Sequence, residues 1–237
     1  CESTYWYCDL CGGAYTDRDH INHRGTGDVL DFPGIYIQRD FVSEKEEEQI
    51  CGAIYQTEFI NSQSGRRKQD YGPKVNFKRK KLKTCVFTGL PEFSKPLYDR
   101  MKILDILCDF VPVEQCNLEY SPDRGSAIDP HYDDFWLWGE RLVTLNLKSD
   151  SVLCMTKDDL PGVEVYVPLY QRSLLVVYGP ARHEWKHGIH REDINSTRIA
   201  ITYRELSEEF QVGGTREKDG QELIDLALTF CGKAVGS

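Results

Sequence analysis

His131 and Asp133 stand two residues apart in the stretch "DPHYDDFWLWGE". On an extended strand that spacing aims an imidazole and a carboxylate at one point in space. Two such groups hold a metal poorly, so a third ligand has to come from elsewhere in the chain. The segment "ARHEWKHGIH" offers His183, His187 and His190, half of the six histidines. Two histidines and one carboxylate leave coordination positions open, the arrangement of non-haem Fe(II) oxygenases, which admits a bidentate co-substrate and oxygen.

Arg198 and Arg204 follow in "TRIAITYR". On one strand both face the same side, and a strand that otherwise reads as core has no packing use for an arginine. The planar guanidinium is matched to a carboxylate, so a dicarboxylate is the expected second ligand, and 2-oxoglutarate is the co-substrate that fits. Each signal is weak alone; their order along the chain, His-x-Asp, then strands, then His, then Arg, combines them. A zinc hydrolase would not need the arginine pair, and a module that only binds would not need to keep every ligand.

The elements that must position these groups are legible in outline. "GIYIQRDFVSEKEEEQICGAIYQ" predicts a strand and then a helix, with Ser43 as N-cap and Glu46 as its capping-box partner. A second helix is expected to start near Pro91 and run through "EFSKPLYDRMKIL", with Pro96 against it. From about residue 111 the pattern changes to short strands, "VEQCNLEY", "RLVTLNLK", "SVLCM", "VEVYVPL", "RSLLVVY" and "TRIAITYREL", and only "QELIDLALTF" reads as a later helix. Helices in front of a run of strands predict one α+β domain built on a β-sandwich or barrel.

The 237 residues are enough for a sizeable core, and no apolar run is long enough to cross a bilayer. The nine cysteines are mostly scattered singly, which fits reduced thiols in a cytoplasmic or nuclear protein better than a disulfide framework. The chain starts at Cys1 rather than Met, consistent with residues removed upstream. The net charge is −9, yet Arg66 to Lys83 holds nine basic residues against Asp70 alone, so one face should be strongly positive.

"HYD", "WKHGIH" and "RIAITYR" resemble the metal and co-substrate motifs of the AlkB family of Fe(II)- and 2-oxoglutarate-dependent dioxygenases. The strings "SGRRKQDYGPKVNF", "PVEQCNLEYSPDRGSAIDPH", "LWGERLV" and "RELSEEF" are similar to one branch of that family, over about residues 33 to 230. The resemblance implies a double-stranded β-helix (jelly-roll, cupin-like) core flanked by N-terminal helices, in a dioxygenase domain spanning 29–237. It implies iron on His131, Asp133 and His187, with His187 chosen over His183 and His190 as the histidine of the His-Gly-Ile string. It also implies that Arg198 and Tyr120 hold the distal carboxylate of 2-oxoglutarate, with Arg204 near the iron-chelating end. Two positions depart from the family pattern, Leu118 and Ala200, where the family often has asparagine.

The implied reaction is oxidative N-demethylation, releasing formaldehyde and succinate. The family places a substrate-recognition lid at about 62–84, where Arg66, Arg67 and Lys68 would suit phosphates or an acidic protein surface. Tyr71 and Phe77 are candidates to stack on a flipped base. Trp136 and Trp138 either line a slot for a methylammonium or pack the barrel mouth. That branch is linked to monomethyl-lysine in actin, with a role in actomyosin function and cytokinesis, and to N6-methyladenine in DNA; the methylated protein is the favoured partner, of a monomeric enzyme in cytoplasm and nucleus.

Residues 1–28 are poor in aliphatics and read as a small Cys-rich appendage. Cys8 and Cys11 in "CDLC" have zinc-knuckle spacing, with Cys1 as a third thiolate and His20 or His23 as candidate fourth ligand. A structural zinc is expected there.

Overall fold

The computed structural model describes residues 3–19 and 28–235. The chain begins with short strands β1 (Ser3–Cys8), β2 (Gly13–Tyr15), β3 (Val29–Leu30) and β4 (Ile35–Gln38), followed by helix α1 (Glu44–Tyr55). Strands β5 (Ile60–Asn61), β6 (Arg67–Tyr71), β7 (Lys74–Asn76) and β8 (Lys81–Lys83) lead to α2 (Lys95–Met101). The strand-rich half contains β9 (Glu114–Tyr120), β10 (Ile128–His131), β11 (Trp138–Leu147), β12 (Ser151–Thr156), β13 (Val163–Leu169) and β14 (Leu174–Val177). It ends with α3 (Gly179–His183), β15 (Lys186–Ile189), β16 (Arg198–Leu206) and α4 (Glu217–Ala227).

Two seven-stranded sheets result, one in the order β10-β15-β12-β13-β1-β2-β3 and the other β4-β14-β11-β16-β9-β6-β5, while β7 and β8 form a separate hairpin. Leu153, Met155, Val165 and Val167 of the first sheet pack against Leu142, Leu175, Val177 and Ala200 of the second, so one core lies between the sheets. The second sheet is buried on its other face too, where Val143, Leu145, Ile199 and Ile201 meet Ile50 and Ile54 of α1 and Leu97 and Met101 of α2. Burial on both faces explains why "LLVV" of β14 has no polar alternation. The strand-rich half is the double-stranded β-helix expected of the sequence, with helices laid on one side. Among the described residues no helix is long and apolar enough to cross a membrane.

Three expectations need adjustment. The second helix is shorter than read: a 3-10 turn covers Glu92–Ser94, and the α-helix starts only at Lys95, where Pro96 falls in its first turn and so removes no internal hydrogen bond. The described part of the N-terminal segment is not held apart from the core. β1 pairs in parallel with β13, and Tyr7 and Ala14 are buried in the inter-sheet core, with the Tyr7 hydroxyl donating to the Ile35 carbonyl. Short, polar composition concealed an edge extension that borrows its core from a sheet already formed. The basic segment is also divided, since β6 is a full member of the second sheet and only β7 and β8 stand off it.

Helix α1 is fixed at its start as read from sequence. Ser43 accepts a hydrogen bond from the Glu46 amide, and the Glu46 carboxylate accepts from the Ser43 amide at 2.7 Å. Arg100, near the end of α2, pairs with the same carboxylate, so one acid caps α1 and ties it to α2. The Arg100 hydrogen bond and the Ser43 amide together draw the Glu46 carboxyl down to about 2 from 4.5. A carboxyl depressed on folding contributes stability that is present above its unfolded value and is lost as pH falls through the folded one. Urea-unfolding midpoints are therefore expected to fall between pH 4.5 and 2 in the natural protein. Glu46→Gln should be less stable at pH 7, with a shallower acid limb that meets the parent curve near pH 2; parallel curves would show that Glu46 is not the group responsible.

Candidate metal centre

His131 ends β10 and His187 lies in β15, and antiparallel pairing puts the two directly opposite each other. Their rings are 4.4 Å apart. Asp133 follows two residues later on the turn out of β10, with Oδ1 3.6 Å from His131 Nε2. One ligand atom from each of His131, Asp133 and His187 lies within 4.8 Å of the others, a set able to hold a metal ion. Gly188 sets the width of this gap: a Cβ there would come 2.8 Å from the Ile128 carbonyl and 3.0 Å from Pro130 N. Only glycine lets β15 and β10 approach this closely.

The ligands are held in the forms a metal requires. His131 Nδ1 lies 2.9 Å from the Asp129 carbonyl. Since a carbonyl only accepts, Nδ1 carries the proton and Nε2 presents its lone pair to the centre. Burial drives His187 down to about 4, which keeps its ring neutral. Burial alone would raise the Asp133 carboxyl, but the charge of the Arg204 guanidinium beside it holds it well below the usual carboxylate range.

Arg204 donates to Asp133 Oδ2 at 2.7 Å and to Glu114 Oε2 at 2.5 Å. It therefore restrains the carboxylate of the centre, at the metal end of the cavity that the resemblance assigns to it. Arg198 is 2 % exposed. Its Nε donates to Asn146 Oδ1 at 2.5 Å, its guanidinium lies 4.8 Å from the Tyr120 ring centre, and its Nη1 is buried with no hydrogen-bond partner. A buried guanidinium with an N–H that no protein group accepts, beside an internal cavity, has the donor chemistry to hold a carboxylate. That cavity is lined by Tyr120, Leu142 and Ala200 as well as by His131, Asp133, His187 and both arginines. Ligand triad and arginine thus address one volume, which fits iron with 2-oxoglutarate.

The two departures from the family pattern prove to be neighbours. Ala200 pairs with Leu118 on one side and with Asn146 on the other. Leu118 and Ala200 form an apolar patch on the cavity wall, while Asn117 faces away and donates to Gln69 at 2.9 Å. Asn146 supplies the polar contact to Arg198 from the adjacent strand, and no motif signalled it.

Arg182 was also invisible in the sequence. It is 1 % exposed, donates to the carbonyls of Asp133 at 3.0 Å and Gly139 at 3.4 Å, and lies 4.4 Å from the Phe135 ring centre. It closes the turn that carries Asp133. Asp134 contributes to the same turn by accepting from the amides of Trp136 and Leu137 at 2.9 and 3.1 Å.

Other expected residues are dispersed. His183 pairs with Glu140 at 2.7 Å, and His190 lies on the far side of β12 with Glu164. Arg67 is bound to Glu119 at 2.6 Å and Lys68 to Asp70 at 2.5 Å. Arg66 donates to the Gln63 carbonyl in its own loop. Tyr71 is 3 % exposed, too buried to stack on a base, and Trp136 packs on Phe210 in the core. Trp138 is buried as well, with the half-exposed Phe77 of the hairpin edge-on to it at 6.5 Å. Of the expected zinc ligands, Cys8 ends β1 and Cys11 lies in the exposed turn after it; Cys1, His20 and His23 fall outside the described residues.

No family model matches the chain. It is 48% identical to the human alpha-ketoglutarate-dependent dioxygenase alkB homolog 4, across 88% of this chain and 79% of that protein. It is 44% identical to a DNA N6-methyl adenine demethylase of Caenorhabditis elegans, across 85% and 70% respectively. Among solved structures it resembles OsALKBH1 with a TM-score of 0.55 at 13% identity, covering 73% of this chain and 99% of that one. A Pseudomonas putida prolyl-4-hydroxylase has a TM-score of 0.51 at 17% identity, covering 73% and 92%.

Replacing Arg182 by alanine leaves buried carbonyls without donors and frees the Asp133 turn. A loss of about 2–4 kcal/mol is expected in urea unfolding. Iron affinity measured by competition with a chelator should fall with it, and unchanged values of both would show that the turn holds itself.

Proposed function

This chain belongs to the AlkB family of 2-oxoglutarate-dependent dioxygenases, and from that premise we propose that it removes N-methyl groups oxidatively from N6-methyladenine in DNA. Iron(II) with 2-oxoglutarate and oxygen supplies the oxidising power when bound, so that an N-methyl carbon is hydroxylated and leaves as formaldehyde. The protein's share is placement and exclusion of water. His131, Asp133 and His187 would hold the metal through two neutral imidazoles and one ionised carboxylate. Arg204 fixes Asp133 from behind, with Glu114 balancing its second face. Arg198, steadied by Asn146 and Tyr120, would take the distal carboxylate at its open N–H. The apolar walls from Leu118, Leu142, Val177 and Ala200 keep that end of the cavity dry.

The observation that carries the choice of substrate is the β7–β8 hairpin. Val75 and Leu82 anchor it on the core formed by Trp138, Leu206 and Phe87, and Lys74, Lys78, Arg79, Lys80, Lys81 and Lys83 are all exposed. Among the described residues none of these six cations is in an ion pair, in contrast to Arg67 and Lys68. A row of unneutralised charge beside the exposed ring of Phe77 suits a phosphate backbone with a base turned out of it.

A second reading has its own support. A groove beyond Trp138 is lined by Phe135, Glu140, Glu208 and Glu209, an aromatic and acidic surface suited to the methylammonium of a monomethyl-lysine, such as that of actin.

Formaldehyde release by the iron-loaded chain with 2-oxoglutarate separates the readings. Methylated-adenine DNA should be turned over, with rates that fall steeply as salt rises, and Asp133→Ala should abolish release without unfolding the protein. Arg198→Met should raise the 2-oxoglutarate requirement by roughly 30-fold or more, since a buried charged contact is worth about 2–5 kcal/mol. Release from monomethyl-lysine actin alone would transfer the proposal to the second reading, and release from neither, with iron and 2-oxoglutarate bound, would overturn both.

A further inference from the structure

On the opposite face of the strand that carries Met155 lies a second group of potential ligands, Cys154, Glu164 and His190. Met155 pairs with His187 and belongs to the inter-sheet core, so Cys154, one residue earlier, points away from the iron centre. Cys154 is opposite Tyr166 in β13, and Glu164, two residues before Tyr166, therefore shares its face. His190 follows the end of β15, two residues beyond Gly188, the partner of Cys154. Sulfur, carboxylate oxygen and imidazole nitrogen all lie within 4.8 Å of one another.

We propose that Cys154, Glu164 and His190 form a second metal site, distinct from the iron centre and from the N-terminal cysteines, that takes a zinc ion. Thiolate, imidazole and carboxylate are the donor types of zinc, and bond lengths of about 2.0–2.3 Å require only a modest contraction of the present separations. Charge balances as well: a thiolate and a carboxylate neutralise the dication, and the Cys154 proton is released to solvent when sulfur binds.

Two observations indicate that the group is arranged for a ligand. His190 Nε2 is buried without a hydrogen-bond partner, and it lies 3.8 Å from Glu164 Oε1, too far for a direct hydrogen bond. The Tyr166 hydroxyl donates to Glu164 Oε2 at 2.8 Å, which holds the carboxylate in place and leaves Oε1 facing His190. Cys154 is fully buried at the floor of the group, with its thiol against the Glu164 carboxylate. A fourth position can be completed by water.

The test is a cobalt(II) titration of the metal-free full chain under reducing conditions, followed by zinc competition. Cobalt bound to a thiolate gives a near-ultraviolet charge-transfer band, whereas the iron centre contains no sulfur. One equivalent of this band is expected in a Cys8→Ser/Cys11→Ser variant, which removes the thiolates of the N-terminal segment, and it should persist when Asp133→Ala is added. Zinc should displace it, adding Cys154→Ser should lose it, and adding His190→Ala, a change near the surface, should weaken cobalt binding by about tenfold or more. Absence of the band in the Cys8→Ser/Cys11→Ser variant, or its survival at full intensity when that variant, still folded, also carries Cys154→Ser, would overturn the proposal. A band lost in Cys8→Ser/Cys11→Ser and kept in Cys154→Ser would assign the thiolate to the N-terminal segment instead.

Discussion

Arg204 is the interaction on which the rest of the site depends. One partly buried guanidinium is shared between Asp133, on the turn out of β10, and Glu114, at the start of β9. Withdrawing these three charges from most of their water is costly, and it is tolerated because each carboxylate meets the cation directly and Arg204 also lies 5.7 Å from the Trp138 ring centre. The first sheet supplies His131 and His187, and the second supplies Arg204 and Glu114. The ion triad is therefore also a rivet between the sheets, placed where the metal-ligating carboxylate has to be stationary.

A single strand links this rivet to the packing. On β16, Arg198, Ala200, Thr202 and Arg204 face the cavity, and Ile199, Ile201 and Tyr203 face the helices. The second sheet is sandwiched between the two, so α1 and α2 back the strand whose other face lines the cavity. The Ser43, Glu46 and Arg100 linkage that fastens those helices to one another lies at the far end of the same chain of contacts.

How much of this was legible follows from what each residue must do alone. His131, Asp133, Arg198 and Arg204 are unusual residue types at fixed spacings, and strand alternation converts spacing into shared direction, so these four could be read directly, whereas the choice of His187 over His183 and His190 rested on the resemblance. The capping box at Ser43 was legible for the same reason, because its partners are three residues apart. Asn146, Glu114 and Arg182 were not, since their partners are 52, 90 and 49 residues away and nothing local distinguishes them from surface residues. Tyr71 was misread in the opposite sense: an aromatic beside a charge run signals a stacking ring only if the strand leaves it exposed, and sheet pairing buries Tyr71. The N-terminal strands escaped because an edge strand that borrows a finished core needs few aliphatic residues of its own.

Gly188 has a consequence that reaches beyond packing. Two backbones touch where a side chain is missing, so the bite of the metal centre is set by main-chain contact and not by any residue that could be exchanged for a longer or shorter one. Ligand identity at such a centre is open to substitution, but its aperture is not. Variants at His131 or His187 would keep that backbone spacing, and only the reach of the new side chain would change where the donor atoms meet.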